Sequence, residues 1–310
     1  MSGYWMCHVV GNNHPKCYPS SKHRVFCEFS DTTFIQCTPL FMPNVEIVFC
    51  DPHLLVINKP AGLLSVPGRG PDKTDCALSR INEKYPATLV VHRLDQATSG
   101  LMVFARTPLI QRELSKSFAT QNVSKCYLAI VQGLVKQSLD WQRIDAPIGA
   151  DWPNRPMQKI DPMGKPSTTL WRCIANGIPK SNADAVGCAV GDASGGAVGG
   201  AHENADLYGN ERSHASNTKS LLELIPLSGR THQLRVHLMS LGMPIIGDTL
   251  YMTNPLERSR ALHSRMCLHA HRLEFTHPAT GETLKFSSEA DFVDLKLYTF
   301  DFGFNHPYLK

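Results

Sequence analysis

The sequence lacks long hydrophobic segments and carries little charge of either sign. No apolar run approaches the roughly 18 residues that a membrane-spanning helix needs. The first eight residues, Met-Ser-Gly-Tyr-Trp-Met-Cys-His, have neither the charged start nor the apolar centre of a signal peptide. Hydrophobic residues make up 42% of the 310 and charged residues 19%, a composition that argues against a disordered or fibrous chain. We therefore expect a globular, cytoplasmic protein that does not associate with membranes.

The charge balance is only mildly basic, with a formal net charge of +4. Such an excess suits an anionic partner such as nucleic acid, but it is far below the charge density of a histone-like protein. Charge alone therefore leaves the class of partner open.

The ten cysteines include no close pair of the kind that binds zinc. Zinc ligands usually lie about two to four residues apart, whereas the N-terminal cysteines are widely and evenly spaced, at Cys7, Cys17, Cys27 and Cys37. We expect reduced thiols, no metal site, and a poorly ordered extension over residues 1–42 ahead of one domain over 43–310. A zinc site in the extension is the alternative.

Residues 177–218 form the most biased segment, because eight of the 22 glycines lie between Gly177 and Gly209. Alanine, serine and asparagine fill much of the remainder, so the segment cannot bury enough apolar surface to offset its ordering entropy. We interpret it as a flexible insertion between two strands.

Hydrophobic alternation and turn residues predict the secondary structure on both sides of the insertion. Strands are expected to begin at Val45, Leu54, Lys125, Thr168 and Lys219, with short ones at 244–248, 273–276 and 283–286. Helices are expected over 74–84, after Thr107 with Leu109, Leu114 and Phe118 inside, from Thr231 to Gly242, and near 291–298.

The stretch from 90 to 106 has the pattern of a rigid loop that carries chemistry. An apolar run precedes a polar segment centred on Asp95, and a second apolar run follows Gly100. Arg93 and the Thr98-Ser99 pair favour the ionised carboxylate, which suits a nucleophile better than a general acid. A structural Arg-Asp pair that fixes a turn is the alternative.

Other candidate residues also have both a functional and a structural interpretation. Arg69 lies in a glycine-rich loop that either approaches a phosphate or is a surface turn. Trp152, Arg155 and Lys159 lie in a proline-rich loop that either grips a nucleic-acid backbone and stacks on a base, or packs structurally. Arg230 lies at a strand-to-helix turn, and a core tyrosine is the alternative interpretation of Tyr127.

Five ordered motifs resemble those of the RluA family of pseudouridine synthases, which convert uridine to pseudouridine in RNA. They are Asn58-Lys59-Pro60 with Gly62-Leu63, His92-Arg93-Leu94-Asp95 with Thr98-Ser99-Gly100, residues 125–129, residues 229–237 (GRTHQLRVH), and Leu268-His269-Ala270. The resemblance runs from about Val45 to Phe292. It implies an α+β fold of the α/β class: a mixed, mostly antiparallel central sheet with flanking helices and a central active-site cleft.

The resemblance also implies roles for individual residues. Asp95 becomes the nucleophile, Arg230 its ion-pair partner, Tyr127 the ring that packs on the target uracil, and Arg93 the side chain that replaces the flipped base. The expected RNA-binding set comprises His92, Arg93, Arg69, Trp152, Arg155, Lys159 and Arg235. No cofactor or metal is required, because the isomerisation involves no redox change and no group donor.

Residues 64–69 and 151–156 are similar to the branch that acts on a tRNA anticodon stem-loop and on a 23S rRNA hairpin. RNA is therefore the expected partner, bound by a monomer. The alternatives are a sibling synthase for other large-subunit rRNA sites and a non-catalytic RNA-binding or assembly protein that kept the fold.

Overall fold

The protein was analysed as a computed structural model. It describes the backbone of residues 16–19, 25–28 and 35–37, and it describes residues 45–138, 140–176, 218–252, 255–261 and 264–293. The chain forms two compact units, Met1–Asn44 and Val45–Lys310. Almost all of the predicted insertion at 177–218, and most of the predicted helix near 291–298, lie outside the described residues.

The N-terminal unit contains a three-stranded antiparallel sheet in the order β1-β2-β3. Its strands are β1 (Lys16–Pro19), β2 (Val25–Glu28) and β3 (Ile35–Cys37). The strands lie within the segment for which the sequence predicts poor order, and their aromatic and β-branched residues favour extended backbone. The cysteine and histidine side chains of this unit, and with them the alternative zinc site, are outside the described part.

Ten of the twelve strands in the described part of the second unit form one central sheet. The strands are β4 (Glu46–Cys50), β5 (Leu54–Lys59), β6 (Leu89–Val90), β7 (Ser99–Ala105), β8 (Ser124–Gln132), β9 (Gln142–Asp145), β10 (Ile148–Ala150), β11 (Gln158–Ile160), β12 (Thr168–Asn176), β13 (Lys219–Pro226), β14 (Leu268–Thr276) and β15 (Thr283–Ser287). The helices are α1 (Ala77–Lys84), α2 (Pro108–Ala119), α3 (Gln233–Ser240) and α4 (Pro255–Ala261). The five predicted strand starts named above all lie within one residue of the observed starts.

The central sheet runs in the order β4-β5-β7-β14-β8-β13-β12-β9, with β6 paired to β7 and β15 to β14. Its pairings are antiparallel except that of β7 with β14, which is parallel. Each of the seven residues of β7 is buried, as expected for a strand covered on both faces. The predicted mixed, mostly antiparallel α+β sheet is confirmed.

Helices cover both faces of the sheet because side chains alternate along the strands. Leu55 and Ile57 of β5 pack with α1, whereas Leu54 and Val56 pack on the opposite face with α2. On β8, Ala129 belongs to the cluster that contains Leu234 and Leu238 of α3. The sheet thus has a separate hydrophobic core on each side.

The parallel pairing of β7 with β14 requires a residue without a side chain. Gly100 lies opposite Ala270 with φ of 110°, and a Cβ atom there would lie 2.4 Å from the Ala270 carbonyl oxygen. The adjacent Ser99 hydroxyl lies 2.8 Å from Nδ1 of His269. This junction immediately follows the loop that carries Asp95.

Three sequence expectations need correction. Leu109 is 61% exposed, because the inner face of α2 is formed by Ile110 and Leu114. The predicted strand at 244–248 is reduced to an isolated bridge between Ile245 and Val131. Residues 151–159, interpreted as a loop, run into β11 at Gln158, which pairs with β10. Among the described residues, no helix is long and apolar enough to cross a membrane.

Candidate active site

The loop that carries Asp95 joins β6 to β7 and is fastened to a neighbouring turn. The Thr98 amide donates to the Asp95 carbonyl oxygen at 3.1 Å, which closes the loop on itself. The buried Ser65 hydroxyl donates to the Leu94 carbonyl oxygen at 2.6 Å and accepts from the Leu94 amide at 3.1 Å. The backbone on the N-terminal side of Asp95 is therefore fixed by two hydrogen bonds, one through its carbonyl group and one through its amide.

Lys59, at the end of β5, fastens the loop on the other side of Asp95. Its ammonium group is fully buried and donates to the carbonyl oxygens of Pro60 at 2.9 Å, Leu63 at 2.8 Å and Gln96 at 3.2 Å. Burial lowers the pKa of Lys59 to about 7, although the nearby Asp95 carboxylate opposes this shift. Lys59 was not among the predicted site residues.

The Asp95 carboxylate faces a buried arginine. Nη1 of Arg235 donates to Oδ2 of Asp95 at 3.2 Å, and the side chains are 5% and 28% exposed respectively. Asp95 therefore presents an anionic group that is paired on one side and open to solvent on the other.

Asp248 holds Arg235 from behind through two parallel hydrogen bonds. Nε donates to Oδ2 at 2.7 Å and Nη2 donates to Oδ1 at 2.8 Å. Desolvation lowers the pKa of Arg235, but Asp248 and Asp95 outweigh it and the net pKa is raised. Because the arginine fork is fixed by two bonds, its remaining amino group is aimed at Asp95.

Arg235 reaches Asp95 because of how α3 begins. The Gln233 side chain accepts from the Ser228 hydroxyl at 2.8 Å and from the Arg230 amide at 3.0 Å, which folds the strand-to-helix turn. His232, with φ of 54°, is the residue at the N-cap, in place of the predicted Thr231.

The predicted ion pair of Arg230 with Asp95 is wrong. Arg230 precedes the helix and is exposed, and its Nε donates to the Pro166 carbonyl oxygen at 3.2 Å. Arg235, predicted as an RNA contact, occupies the position at Asp95 and is only 4% exposed. Both arginines belong to one motif, and the direction in which the turn folds decides which of them reaches Asp95.

Tyr127 lies on the side of the sheet that faces Asp95. It packs against the clusters under both α1 and α3, and it is only partly buried. Burial, together with the negative charge of Asp95, raises the pKa of its phenol, which therefore stays protonated near neutral pH.

Comparison with known proteins identifies the family. Residues 53–240 match the family model described as RNA pseudouridylate synthase. The dual-specificity RNA pseudouridine synthase RluA of Haemophilus influenzae is 36% identical over 259 residues, covering 83% of this chain and 99% of that protein. Its counterpart from Vibrio vulnificus is 40% identical over 237 residues, covering 76% of this chain and 79% of that protein. The chain belongs to the RluA family. It is an RNA pseudouridine synthase, as the motifs predict.

Solved structures share the fold of this RluA-family synthase. Human RNA Pseudouridylate Synthase Domain Containing 1 is similar with a TM-score of 0.58 and 25% identity, covering 81% of this chain and 85% of that one. Human RNA Pseudouridylate Synthase Domain Containing 4 is similar with a TM-score of 0.54 and 23% identity, covering 79% and 88%. The predicted pseudouridine synthase fold is confirmed.

The two basic residues that precede Asp95 in the synthase lie in different environments. Arg93 is exposed beside the carboxylate. The His92 ring stacks on Phe118 of α2 with centroids 4.4 Å apart, and its Nε2 accepts from the Val103 amide at 3.1 Å. Burial lowers the pKa of His92 to about 3. His92 therefore braces the loop from the α2 side, which gives a structural role to a residue predicted to contact RNA.

The β10–β11 hairpin (residues 148–160) presents most of the other predicted RNA-binding residues. Trp152 is 68% exposed, and the Arg155 guanidinium carbon lies 3.8 Å from the centroid of its ring. Lys159, on β11, is exposed. Arg69 is also exposed, in the loop between β5 and α1.

Three more residues of the site were absent from the predicted set: His232, Asp248 and Tyr251. Asp248 is 1% exposed and Tyr251 is 2% exposed. The sequence offered a signal for two of them, since His232 lies inside the GRTHQLRVH motif and Asp248 directly follows Gly247. Nothing in the sequence places Asp248 beside Arg235 or Tyr251 beside His232, because those contacts depend on the fold.

Proposed function

We propose that this synthase isomerises specific uridines in a tRNA anticodon stem-loop and in a 23S rRNA hairpin, with Asp95 as the nucleophile. The observation that carries the proposal is the Asp95 carboxylate, paired at 3.2 Å with buried Arg235 and otherwise open. Relatives 36 to 40% identical are named dual-specificity RNA pseudouridine synthases.

The chemistry asks little of the protein beyond an ionised carboxylate and a place for the base. Asp95 attacks either C1′ of the ribose or C6 of the uracil. The N1–C1′ bond breaks, the base turns, a C5–C1′ bond forms, the bond between Asp95 and the substrate breaks to return the carboxylate, the proton on C5 leaves, and N1 gains a proton. Atoms and electrons balance without a cofactor or metal. Arg235 supplies positive charge beside the carboxylate.

The target nucleotide must leave its stack before its glycosidic carbon can be reached, at a cost of a few kcal/mol. Arg93 is exposed next to Asp95 and is suited to fill the vacated position. The partly buried Tyr127 ring offers the detached uracil a surface to pack on. Contacts of this kind offset the cost of unstacking.

Recognition of the RNA outside the target base is assigned to the β10–β11 hairpin and to Arg69. The exposed Trp152 ring is suited to stack on a base, and Arg155 and Lys159 to contact phosphates. The hairpin lies in the part of the sequence that resembles the tRNA and 23S rRNA branch, which favours these two substrates over other large-subunit sites.

The test uses the purified full chain and RNA that carries tritium at C5 of uridine. An anticodon stem-loop and a 23S rRNA hairpin are each expected to release tritium, and a stem-loop with cytidine in place of the mapped uridine is the matched control. Release from neither RNA, with binding retained, would favour the non-catalytic alternative. Release from rRNA alone would favour the sibling rRNA synthase.

A further inference from the structure

Two side chains behind Asp95 have no part in the chemistry proposed above. His232 lies at the N-cap of α3, and Tyr251 follows the turn at Asp248. Nε2 of His232 lies 3.8 Å from Oδ2 of Asp95, and Nδ1 lies 2.8 Å from the Tyr251 hydroxyl oxygen. The Tyr251 hydroxyl in turn accepts from the Gln158 amide at 2.7 Å.

The hydrogen-bond chain fixes which nitrogen of His232 carries the proton. The Gln158 amide can only donate, so the Tyr251 oxygen accepts there. In the described part of the chain, the remaining partner of the Tyr251 hydroxyl is Nδ1 of His232, so the phenol proton is donated to that nitrogen. The proton of a neutral His232 ring is then on Nε2, the nitrogen that faces Asp95.

The charges around His232 support a neutral ring. Burial and Arg235 lower the pKa of His232, while the carboxylates of Asp95 and Asp248 oppose them, and the net pKa is lowered. Tyr251, the other titratable group against the ring, has its pKa raised to about 12 by burial and stays protonated.

His232 and Arg235 both approach the same oxygen of Asp95. The Arg235 contact at 3.2 Å and the His232 contact at 3.8 Å are each with Oδ2. Among the described residues, no hydrogen bond or ion pair is made to Oδ1, so that oxygen is the one available to a substrate.

The backbone of His232 adopts a conformation that non-glycine residues rarely use. Its φ and ψ are 54° and 19°, and its side chain makes no capping bond to the helix. A left-handed residue of this kind is energetically unfavourable and persists where the surroundings require it. Here it directs the imidazole towards Asp95 and Tyr251.

We infer that His232, oriented by Tyr251, is a positioning residue that shares Oδ2 of Asp95 with Arg235 and leaves Oδ1 as the attacking oxygen. The inference rests on the proposed role of Asp95. At 3.8 Å the His232 contact is longer than a hydrogen bond, and such contacts often shorten when substrate binds. Because Tyr251 also holds Gln158, the same chain joins the β10–β11 hairpin to the nucleophile.

The experiment compares His232→Asn, His232→Gln and Tyr251→Phe by single-turnover tritium release and by RNA binding. Asparagine tolerates the left-handed backbone but is too short to reach Asp95. We expect His232→Asn to lower the single-turnover rate constant by about 10- to 100-fold, the size of effect that a misplaced reacting group produces. The RNA Kd should stay unchanged. His232→Gln, which restores a longer N–H donor, should recover part of the rate.

Tyr251→Phe removes the hydroxyl that joins both partners, so it should lower the rate constant and also weaken RNA binding. An unchanged rate in His232→Asn would overturn the inference. A loss in His232→Asn that glutamine does not relieve, with a parallel fall in melting temperature, would also overturn it, because it would indicate a structural role. Asp95→Asn is measured alongside: if that variant stays active, the proposed function fails, whereas an inactive Asp95→Asn with a fully active His232→Asn removes this inference alone.

Discussion

The surroundings of Asp95 and the β10–β11 hairpin differ in whether their functional side chains are buried or exposed. Around Asp95, charged side chains are buried and held by defined partners, as Arg235 is between Asp95 and Asp248. On the hairpin, Trp152 is 68% exposed and its guanidinium neighbour Arg155 is exposed as well. Preorganised charge suits bond exchange, whereas an exposed ring on a hairpin suits a large ligand that arrives from solution.

This difference predicts that substitutions near Asp95 affect turnover and folding, whereas substitutions on the hairpin affect binding. The link between the two regions is the Tyr251 hydroxyl, which contacts His232 on one side and Gln158 on the other. The predictions below test the separation, beginning with the largest expected effect.

Arg235→Met is expected to abolish most turnover and to destabilise the fold. It removes the partner of Asp95 and leaves Asp248 buried without its cation, and breaking a buried pair in this way costs about 3–5 kcal/mol. Turnover should fall by about 100-fold or more, as when a charge-stabilising donor is lost. Tritium release and urea unfolding measure the two effects.

Arg230→Met is the matched control, because Arg230 lies in the same motif but its side chain, among the described residues, donates only to the Pro166 carbonyl oxygen. It should keep its stability and most of its turnover. The double variant Arg235→Met with Asp248→Leu should recover stability without activity. A larger loss of turnover in Arg230→Met than in Arg235→Met would restore the ion pair expected from the sequence.

The buried histidine beneath the catalytic loop should make the fold sensitive to acid. Burial lowers the pKa of His269 from 6.5 to about 4. Between these values the unfolded chain binds more protons than the folded chain, so stability is lost as the pH falls from 6.5 towards 4. The shift corresponds to about 3 kcal/mol. Urea unfolding near pH 7 and near pH 4 measures it, and His269→Asn should show a shallower dependence; an equal slope would refute the assignment.

Trp152→Ala is expected to raise the RNA Kd by about tenfold, within the 1–3 kcal/mol typical of a base–aromatic stack. The rate at saturating RNA should not change, because among the described residues no hydrogen bond joins the Trp152 side chain to the residues around Asp95. Trp152→Phe should retain most of the affinity. Met163→Ala, at a residue that is 93% exposed, is the matched control without a ring. A lowered saturating rate with unchanged Kd would contradict the assignment of binding to the hairpin and of turnover to the residues around Asp95.

Tyr127→Phe should have the smallest effect, because packing of the ring rather than the hydroxyl is proposed to hold the uracil. We expect turnover within about tenfold of the parent, below the contribution of a general acid or base. Steady-state tritium release measures it, and Tyr127→Ala should be far more severe. A severe loss in Tyr127→Phe would assign a chemical role to the hydroxyl.

The sequence was sufficient for the family and the sheet, because these depend on local patterns. Alternation placed the strands, and Asp95 is conspicuous between Arg93 and Thr98-Ser99. The choice between Arg230 and Arg235 depends on the handedness of one turn, where His232 adopts φ of 54°. Periodicity does not encode that conformation.

The partners of the site were harder to predict because they come from distant segments. Asp248 and Tyr251 reach Arg235 and His232 through the fold, and the cation at Lys59 is fixed by carbonyl oxygens of another loop. Every residue has a backbone carbonyl group, so the residue types in a sequence do not show which carbonyl oxygens will accept from Lys59. Motifs therefore singled out Asp95 as the candidate nucleophile, while the structure shows which residues hold it.

The most direct test of the account is Asp95→Asn, assayed under single-turnover conditions with tritiated RNA. The substitution keeps the shape of the side chain and removes its negative charge, while Lys59, Arg235 and the hairpin remain. We predict no detectable tritium release and an RNA Kd close to that of the parent protein. Substantial pseudouridine formation by this variant would contradict the assignment of Asp95 as the nucleophile.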